Sequence, residues 1–284
     1  MSLVYSIRYF STNHYVEQAK GASWQFLILP ENNHSQQLVD WSIHNSLNAP
    51  ASTSINGLGF KTVRIQTNRH FNALEITANL RVQKERINPF DFIPNTKVSD
   101  DYALLETHDF KVDNEPYLRN TYFTWLPEKH TALYTFDRKR NVFENLRALN
   151  AWVYSFLKFK AGVTGIHTSL KEVVKKRQGV CQDFTHLFLA IARDNHVPAR
   201  YVSGYLHQGS GFFGDSQMHA WVEVYVPNGG WIGFDPTNNI LADQNHIKVC
   251  HGIDYQDCSP IKGVVYSVGG NNTSHTVEVI TAQQ

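Results

Sequence analysis

The sequence is poor in cysteine and balanced in charge. Its 284 residues include only three cysteines, Cys181, Cys250 and Cys258. So low and odd a count argues against a disulfide framework. Lys and Arg together number 26, and Asp and Glu 25. No field of one sign is therefore on offer to nucleic acid or to an anionic membrane. No run of about 18 apolar residues exists, the length that marks a membrane-spanning helix. The opening residues Met1 to Arg8 contain no charged leader followed by a long apolar stretch. A soluble, cytoplasmic protein is expected. No internal repeat and no low-complexity tract is found.

What is present suits a globular chain. Hydrophobic residues make up 42% and aromatics 13%, enough to build one large or two modest cores. Residues 1–95 read as an N-terminal β domain. Phe60 to Thr67 and Leu74 to Val82 alternate apolar and polar side chains, the mark of half-buried strands. Leu3 to Tyr9, Trp24 to Leu29 and Gln37 to Ile43 also have strand spacing, with Pro30 to Asn33 as a turn. Several strands with polar turns suggest a β-sandwich. Residues 96–143 form a connecting segment punctuated by Pro116 and Pro127. Residues 144–284 read as an α+β core with C-terminal strands.

In that core, Leu146, Leu149, Trp152, Val153, Phe156 and Leu157 fall at helical spacing. Ser169 to Glu172 has the form of a capping box and starts a short helix. A further helix is expected from Cys181 to Asn195, with Phe184, Leu187, Phe188 and Ile191 as its buried stripe. Val197-Pro198 ends it. Strands follow at Ala199 to Leu206, His219 to Val226 and Trp231 to Phe234, with a glycine-rich loop around Gly209 to Ser216.

Cys181 thus opens a helix. A helix N-terminus carries partial positive charge and free N–H groups, which favour a thiolate and can hold an oxyanion. Gly179 just before it permits a sharp turn and leaves the sulfur uncrowded. His219 and Asp235 lie on the two strands of a hairpin, and loop length decides whether they share a face. A four-residue loop puts them on opposite faces. A three-residue loop, Pro227-Asn228-Gly229, pairs Val226 with Gly230 and makes His219 the diagonal neighbour of Asp235. Pro, Asn and Gly suit a type I turn followed by a left-handed glycine, so the shorter loop is expected. Cysteine, histidine and carboxylate in this order form a nucleophile, its base and the group that orients the base.

Together the stretches Gly179-Val180-Cys181-Gln182-Asp183-Phe184, Val197 to Tyr205, His219-Ala220-Trp221-Val222-Glu223-Val224 and Gly230 to Thr237 resemble the transglutaminase-like superfamily of papain-like cysteine enzymes. More narrowly they resemble its bacterial branch with an N-terminal β domain. The region Gly252 to Gly263 is similar to that branch as well. The resemblance implies a cysteine-bearing helix packed on an antiparallel sheet that carries histidine and aspartate. It implies Cys181 as nucleophile, His219 as base and then acid, and Asp235 as orienter. The reaction it implies is acyl transfer from a peptide or isopeptide amide through a thioester, with hydrolysis favoured over cross-linking. The partner it implies is a peptide or protein substrate. Two rivals stand beside this reading, a non-catalytic peptide-binding module and another triad enzyme such as an arylamine acyltransferase.

Asp183 is expected to cap the helix. His186 falls off the Cys181 face and is read as structural or superficial. Trp221 and Tyr205 are core or cleft aromatics. Gln178 and Gln182 are candidates for a second oxyanion donor. His246, Cys250, His251 and Cys258 match no paired zinc-ligand spacing, and no acidic loop resembles a calcium motif. No metal and no cofactor is expected.

Overall fold

A computed structural model describes residues 2–126, 133–165, 167–207 and 217–281. Six strands come first: β1 (Leu3–Ala19), β2 (Ala22–Phe26), β3 (Gln36–Asn45), β4 (Ala51–Ile55), β5 (Lys61–Thr67) and β6 (Phe71–Lys84). Then come the helices α1 (Val98–Glu106), α2 (His108–Asp113), α3 (Glu115–Leu118) and α4 (Val142–Phe156). A second run holds β7 (Lys158–Phe159), α5 (Leu170–Lys176), β8 (Gln178–Gly179) and α6 (Cys181–Asp194). Five strands follow: β9 (Ala199–Leu206), β10 (His219–Val226), β11 (Gly230–Asp235), β12 (Ile240–Leu241) and β13 (His246–Gly252). β14 (Ile261–Val265) and β15 (Asn271–Thr281) complete the described chain.

The N-terminal strands build two four-stranded sheets, ordered β15-β1-β6-β3 and β14-β2-β5-β4. Alternation along β1 explains its role, since Tyr5, Ile7, Tyr9, Ser11, Asn13 and Tyr15 are buried while the residues between them are not. The C-terminal strands return to this unit. β14 pairs with β2 and β15 with β1, both antiparallel. Residues 261–281, which the sequence reading assigned to the core at 144–284, thus lie with the N-terminal strands.

The third large sheet is antiparallel, ordered β12-β11-β10-β9-β13. Helix α6 packs on its β9 and β10 strands and against α4. The expected stripe of α6 is buried, but so are Thr185, His186, Leu189, Ala190, Ala192 and Arg193. The helix is therefore enclosed on every side beyond its first turn. Arg193 is tolerated there because it donates to the carbonyls of Ala199, Arg119 and Ile253. Short links join the sheet to the N-terminal unit. Tyr205 donates to Ile28 O at 2.6 Å, and Gln36 Nε2 donates to Lys248 O at 2.7 Å.

Candidate active site

The helix that presents Cys181 is anchored at its start. A parallel bridge pairs Phe159 with Gly179, and Lys160 N donates to Gly179 O at 2.9 Å. Asp183 Oδ2 accepts from Val180 N at 2.7 Å and from Thr164 Oγ1 at 2.6 Å. Asp183 is thus the N3 cap of α6. Cys181 is half-buried, so its sulfur stands at the rim of the core.

The β10–β11 hairpin pairs Val226 with Gly230 and Val222 with Phe234. The connecting loop is Pro227-Asn228-Gly229, the shorter of the two loops weighed. The turn itself differs from the expected type I. Asn228 has φ 62° and Gly230 φ 68°, and Val226 O accepts from Gly229 N. Proline followed by a positive-φ residue is a type II arrangement. The left-handed positions are Asn228 and Gly230 rather than Gly229.

This register puts Asp235 and His219 on one sheet face. His219 Nε2 lies 2.8 Å from Asp235 Oδ2, with both side chains fully buried. His219 Nδ1 is buried and has no hydrogen-bond partner among the described residues. Burial alone would push the His219 pKa down. The Asp235 charge and hydrogen bond overcome this, with nearby Cys181 adding to the rise, and lift it to about 10. Asp235 moves the other way. Burial disfavours its charge, but His219 and His246 hold the carboxyl well below the usual carboxylate range.

Asp235 has more partners than His219. Its Oδ1 accepts from Thr237 N at 3.0 Å and Asn238 N at 3.3 Å. Its Oδ2 accepts from Asn238 Nδ2 at 2.7 Å and lies 3.3 Å from His246 Nε2. The sequence reading did not find these partners. The Asp-Pro-Thr-Asn run signals part of them, because an Asp side chain that bonds backbone two and three residues on is an Asx-type turn. His246 had no such signal.

The remaining candidates fall outside this cluster. Trp221 and Tyr205 are buried, and Trp221 also lines a cavity beside His246. Trp221 stacks on His219 at 6.2 Å between ring centres and meets His246 edge-on at 5.2 Å. His186 is buried, not superficial. Its Nε2 accepts from Tyr255 N, and burial pushes its pKa down to about 3. Gln178 and Gln182 are half-buried on either side of Cys181. The loop from Gly209 to Ser216 lies outside the described residues.

Of the residues tested for zinc, Cys250 and Cys258 are buried free thiols, and His251 Nε2 lies 3.3 Å from Arg200 Nη1. Among the described residues, one group of three could present ligand atoms to a cation. His219, Asp235 and His246 have such atoms within 4.8 Å of one another. Those atoms are already used in the hydrogen bonds around Asp235, so the donor set suits a carboxylate clamp better than an ion.

A cavity of about 500 Å³ is lined by Lys84, Trp221, Glu223, Asp243, His246 and Lys248 among others. Its charges are mostly paired. Glu223 bridges Arg200 at 2.6 Å and Lys248 at 2.8 Å. Burial would raise the Glu223 pKa, but these cations bring it down to about 2.

Comparison with known proteins bears on the segment that carries this site and on its fold. Residues 129–236 match the transglutaminase-like superfamily. An uncharacterized protein of Mycobacterium tuberculosis is 39% identical over 147 residues, 49% of this chain and 47% of that protein. The chain spans about half the length of such relatives. A protein-glutamine gamma-glutamyltransferase of Pseudomonas aeruginosa is 31% identical over 74 residues, 24% of this chain and 11% of that protein. A crystal structure from Cytophaga hutchinsonii, provisionally assigned as a cysteine protease, superposes with a TM-score of 0.78. It is 22% identical and covers all of this chain and 92% of its own, a likeness of fold. No helix among the described residues is long and apolar enough to cross a membrane. Residues 129–236 are thus a transglutaminase-like core segment, and the fold in which they sit is shared with that structure.

Proposed function

We propose that the chain is a cysteine-dependent acyl-transfer enzyme acting on peptide or isopeptide amides, with water as the usual acceptor. One observation carries the reading. His219 uses Nε2 for Asp235 and keeps a buried, unpartnered Nδ1, while Cys181 is close enough to raise its pKa. That is the division of labour a thiol nucleophile and its base require.

The steps follow from the residues. Nδ1 takes the thiol proton, and the Cys181 sulfur attacks the amide carbon. The Cys181 and Gln182 N–H groups at the start of α6 receive the developing oxyanion, since Asp183 N is already bonded to Val180 O. Imidazolium then gives its proton to the leaving amine as the C–N bond breaks, which leaves a thioester on Cys181. Water, deprotonated by His219, attacks the thioester. The acid departs and the thiol regains its proton. Asp235 holds the ring and balances its charge throughout.

An amine in place of water gives transamidation, a second reading favoured by the relative named as a glutamyltransferase. The test uses labelled casein as amide donor, with and without dansylcadaverine, and a Cys181→Ala variant. Release of casein fragments that Cys181→Ala lacks supports hydrolysis. Cysteine-dependent incorporation of the amine supports transamidation. Iodoacetamide labelling of Cys181 no faster than free cysteine would sink both and favour a peptide-binding module.

A further inference from the structure

We propose that His246 is a positioning residue of this site: in its Nε2–H tautomer it donates to Asp235 Oδ2, and through that carboxylate it keeps Nδ1 of His219 turned toward Cys181. The inference rests on the function proposed above.

The tautomer follows from the partners of His246. Asp243 N donates to His246 Nδ1 at 3.2 Å. A backbone N–H can only donate, so Nδ1 is the acceptor and a neutral ring carries its proton on Nε2. Nε2 lies 3.3 Å from Asp235 Oδ2, an acceptor held ionised. The Asp243 carboxylate Oδ1 sits 3.4 Å from Nδ1, a longer contact than the backbone one. The ring is 1% exposed and Trp221 meets it edge-on, so it has little freedom to turn.

The charged and titratable groups that face His246 are Asp235 on β11, His219 on β10 and Asp243 on the turn before β13. His246 opposes His219 across one carboxylate oxygen, so both rings approach Oδ2 as donors. That oxygen also takes Asn238 Nδ2 at 2.7 Å. Three donors on one oxygen fix its place more tightly than any pair would. Among the described residues, Asp235 Oδ2 in turn is the hydrogen-bond partner of the catalytic ring's Nε2. Displacement of the carboxylate therefore reaches Nδ1 directly, and misplacement of a reacting group by about 1 Å can cost 100-fold.

The chain reaches His246 through the short segment 242–245. The segment after β12 crosses from one edge of the sheet to β13 at the other. Asp243 and Asn245 are tied within that segment by Asn245 N donating to Asp243 Oδ1 at 2.8 Å. The crossing thus delivers a preformed acceptor-and-donor unit to the back of the triad.

The test compares His246→Leu, His246→Gln and the unaltered chain. Each is reacted with iodoacetamide across the range from about pH 6 to 9, where a free thiol titrates near 8.5, and Cys181 is mapped by mass spectrometry. The unaltered chain should label rapidly with little dependence on pH. The Leu variant should label at least about tenfold more slowly at the acid end, and its rate should rise steeply toward the ordinary thiol range. The Gln variant, which keeps an N–H donor, should restore most of the rate at acid pH.

Equal labelling of a folded Leu variant at every pH overturns the proposal, as does a Gln variant no better than Leu. Slow labelling of the unaltered chain is a different failure, that of the enzymatic reading itself. If the Leu variant does not fold, nitrogen-15 NMR of the unaltered chain decides the matter. A protonated Nε2 and bare Nδ1 on His246 are expected, and the opposite tautomer overturns the inference.

Discussion

Gly179 lies directly against the Asp183 side chain. A β-carbon at residue 179 would stand 2.5 Å from Asp183 Oδ2 and 2.6 Å from its Cβ. Glycine is needed there for room, since its φ is not among the left-handed ones. The carboxylate cannot swing away without losing Val180 N and Thr164 Oγ1. Gly179→Ala should therefore cost about 1–3 kcal/mol, as overpacking does, and tilt the first turn of α6. The expected result is a lower melting temperature and slower iodoacetamide labelling of Cys181. Unchanged labelling would show that the cap does not set the position of the sulfur.

Trp221 is clamped between glycines on both neighbouring strands. A β-carbon on Gly204 would come within 2.6 Å of the Trp221 ring, and Gly233 lies beside its Nε1. The indole and the Ile247 carbonyl take the space beside Gly204, Ala242 Cβ takes the space at Gly233, and the indole touches both histidines. Trp221→Ala should cost about 3–5 kcal/mol, the range for a large buried aromatic. Trp221→Phe should recover much of that stability. If the indole also holds the His219 ring, the Phe variant will label at Cys181 more slowly even where it is nearly as stable. A Phe variant with normal labelling would limit Trp221 to packing.

Much of this site is visible in the order of residues, and the reason is local. The Pro-Asn-Gly loop sets an odd register, and an odd register is enough to bring Asp235 and His219 onto one face. Asp183 is near enough in sequence to Val180 for its cap to be read from spacing alone. His246 could not be read, because it reaches Asp235 only after the chain has crossed the sheet from β12 to β13. No periodicity marks that crossing. For the same reason residues 261–281 were placed with the core. Their pairing with β1 and β2 joins positions more than 200 residues apart, which strand alternation does not encode. The turn type was missed because Asn and Gly both tolerate positive φ, and composition does not say which of them takes it.

Lys84 is a buried ammonium with a neutral partner. It is 3% exposed, and its Nζ lies 3.3 Å from Gln36 Oε1. Burial lowers its pKa from 10.5 to about 8, despite the nearby charges of Glu223, Asp243 and Glu31. The folded chain thus holds the proton less well than the unfolded one. The sign is unfavourable: Lys84 destabilises the fold at and below about pH 8, and this penalty fades as pH rises toward 10.5. By linkage the cost is roughly 3 kcal/mol at neutral pH. Lys84→Met keeps the stem and removes the charge. Its melting temperature at pH 7 should match or exceed that of the unaltered chain, and the advantage should vanish near pH 10.5. A Met variant that is weaker at every pH would show that the bond to Gln36 outweighs the buried charge.

His219 gives the opposite dependence. Its folded pKa of about 10 stands above the ordinary 6.5. Burial opposes that rise, and the Asp235 charge wins. A group raised on folding contributes stability that is complete below about pH 6.5 and lost as pH climbs through about 10. The difference in melting temperature between the unaltered chain and His219→Gln should be largest near pH 6 and should shrink steadily to about pH 10. Catalysis should follow the same titration on its alkaline side. Above about pH 10 the imidazole lacks the proton that the leaving amine needs, so acylation should fall there while alkylation of the thiolate does not. An acylation rate that falls with a midpoint near 7 would mean that Asp235 does not hold the imidazolium as this geometry requires, and would assign the base to another group.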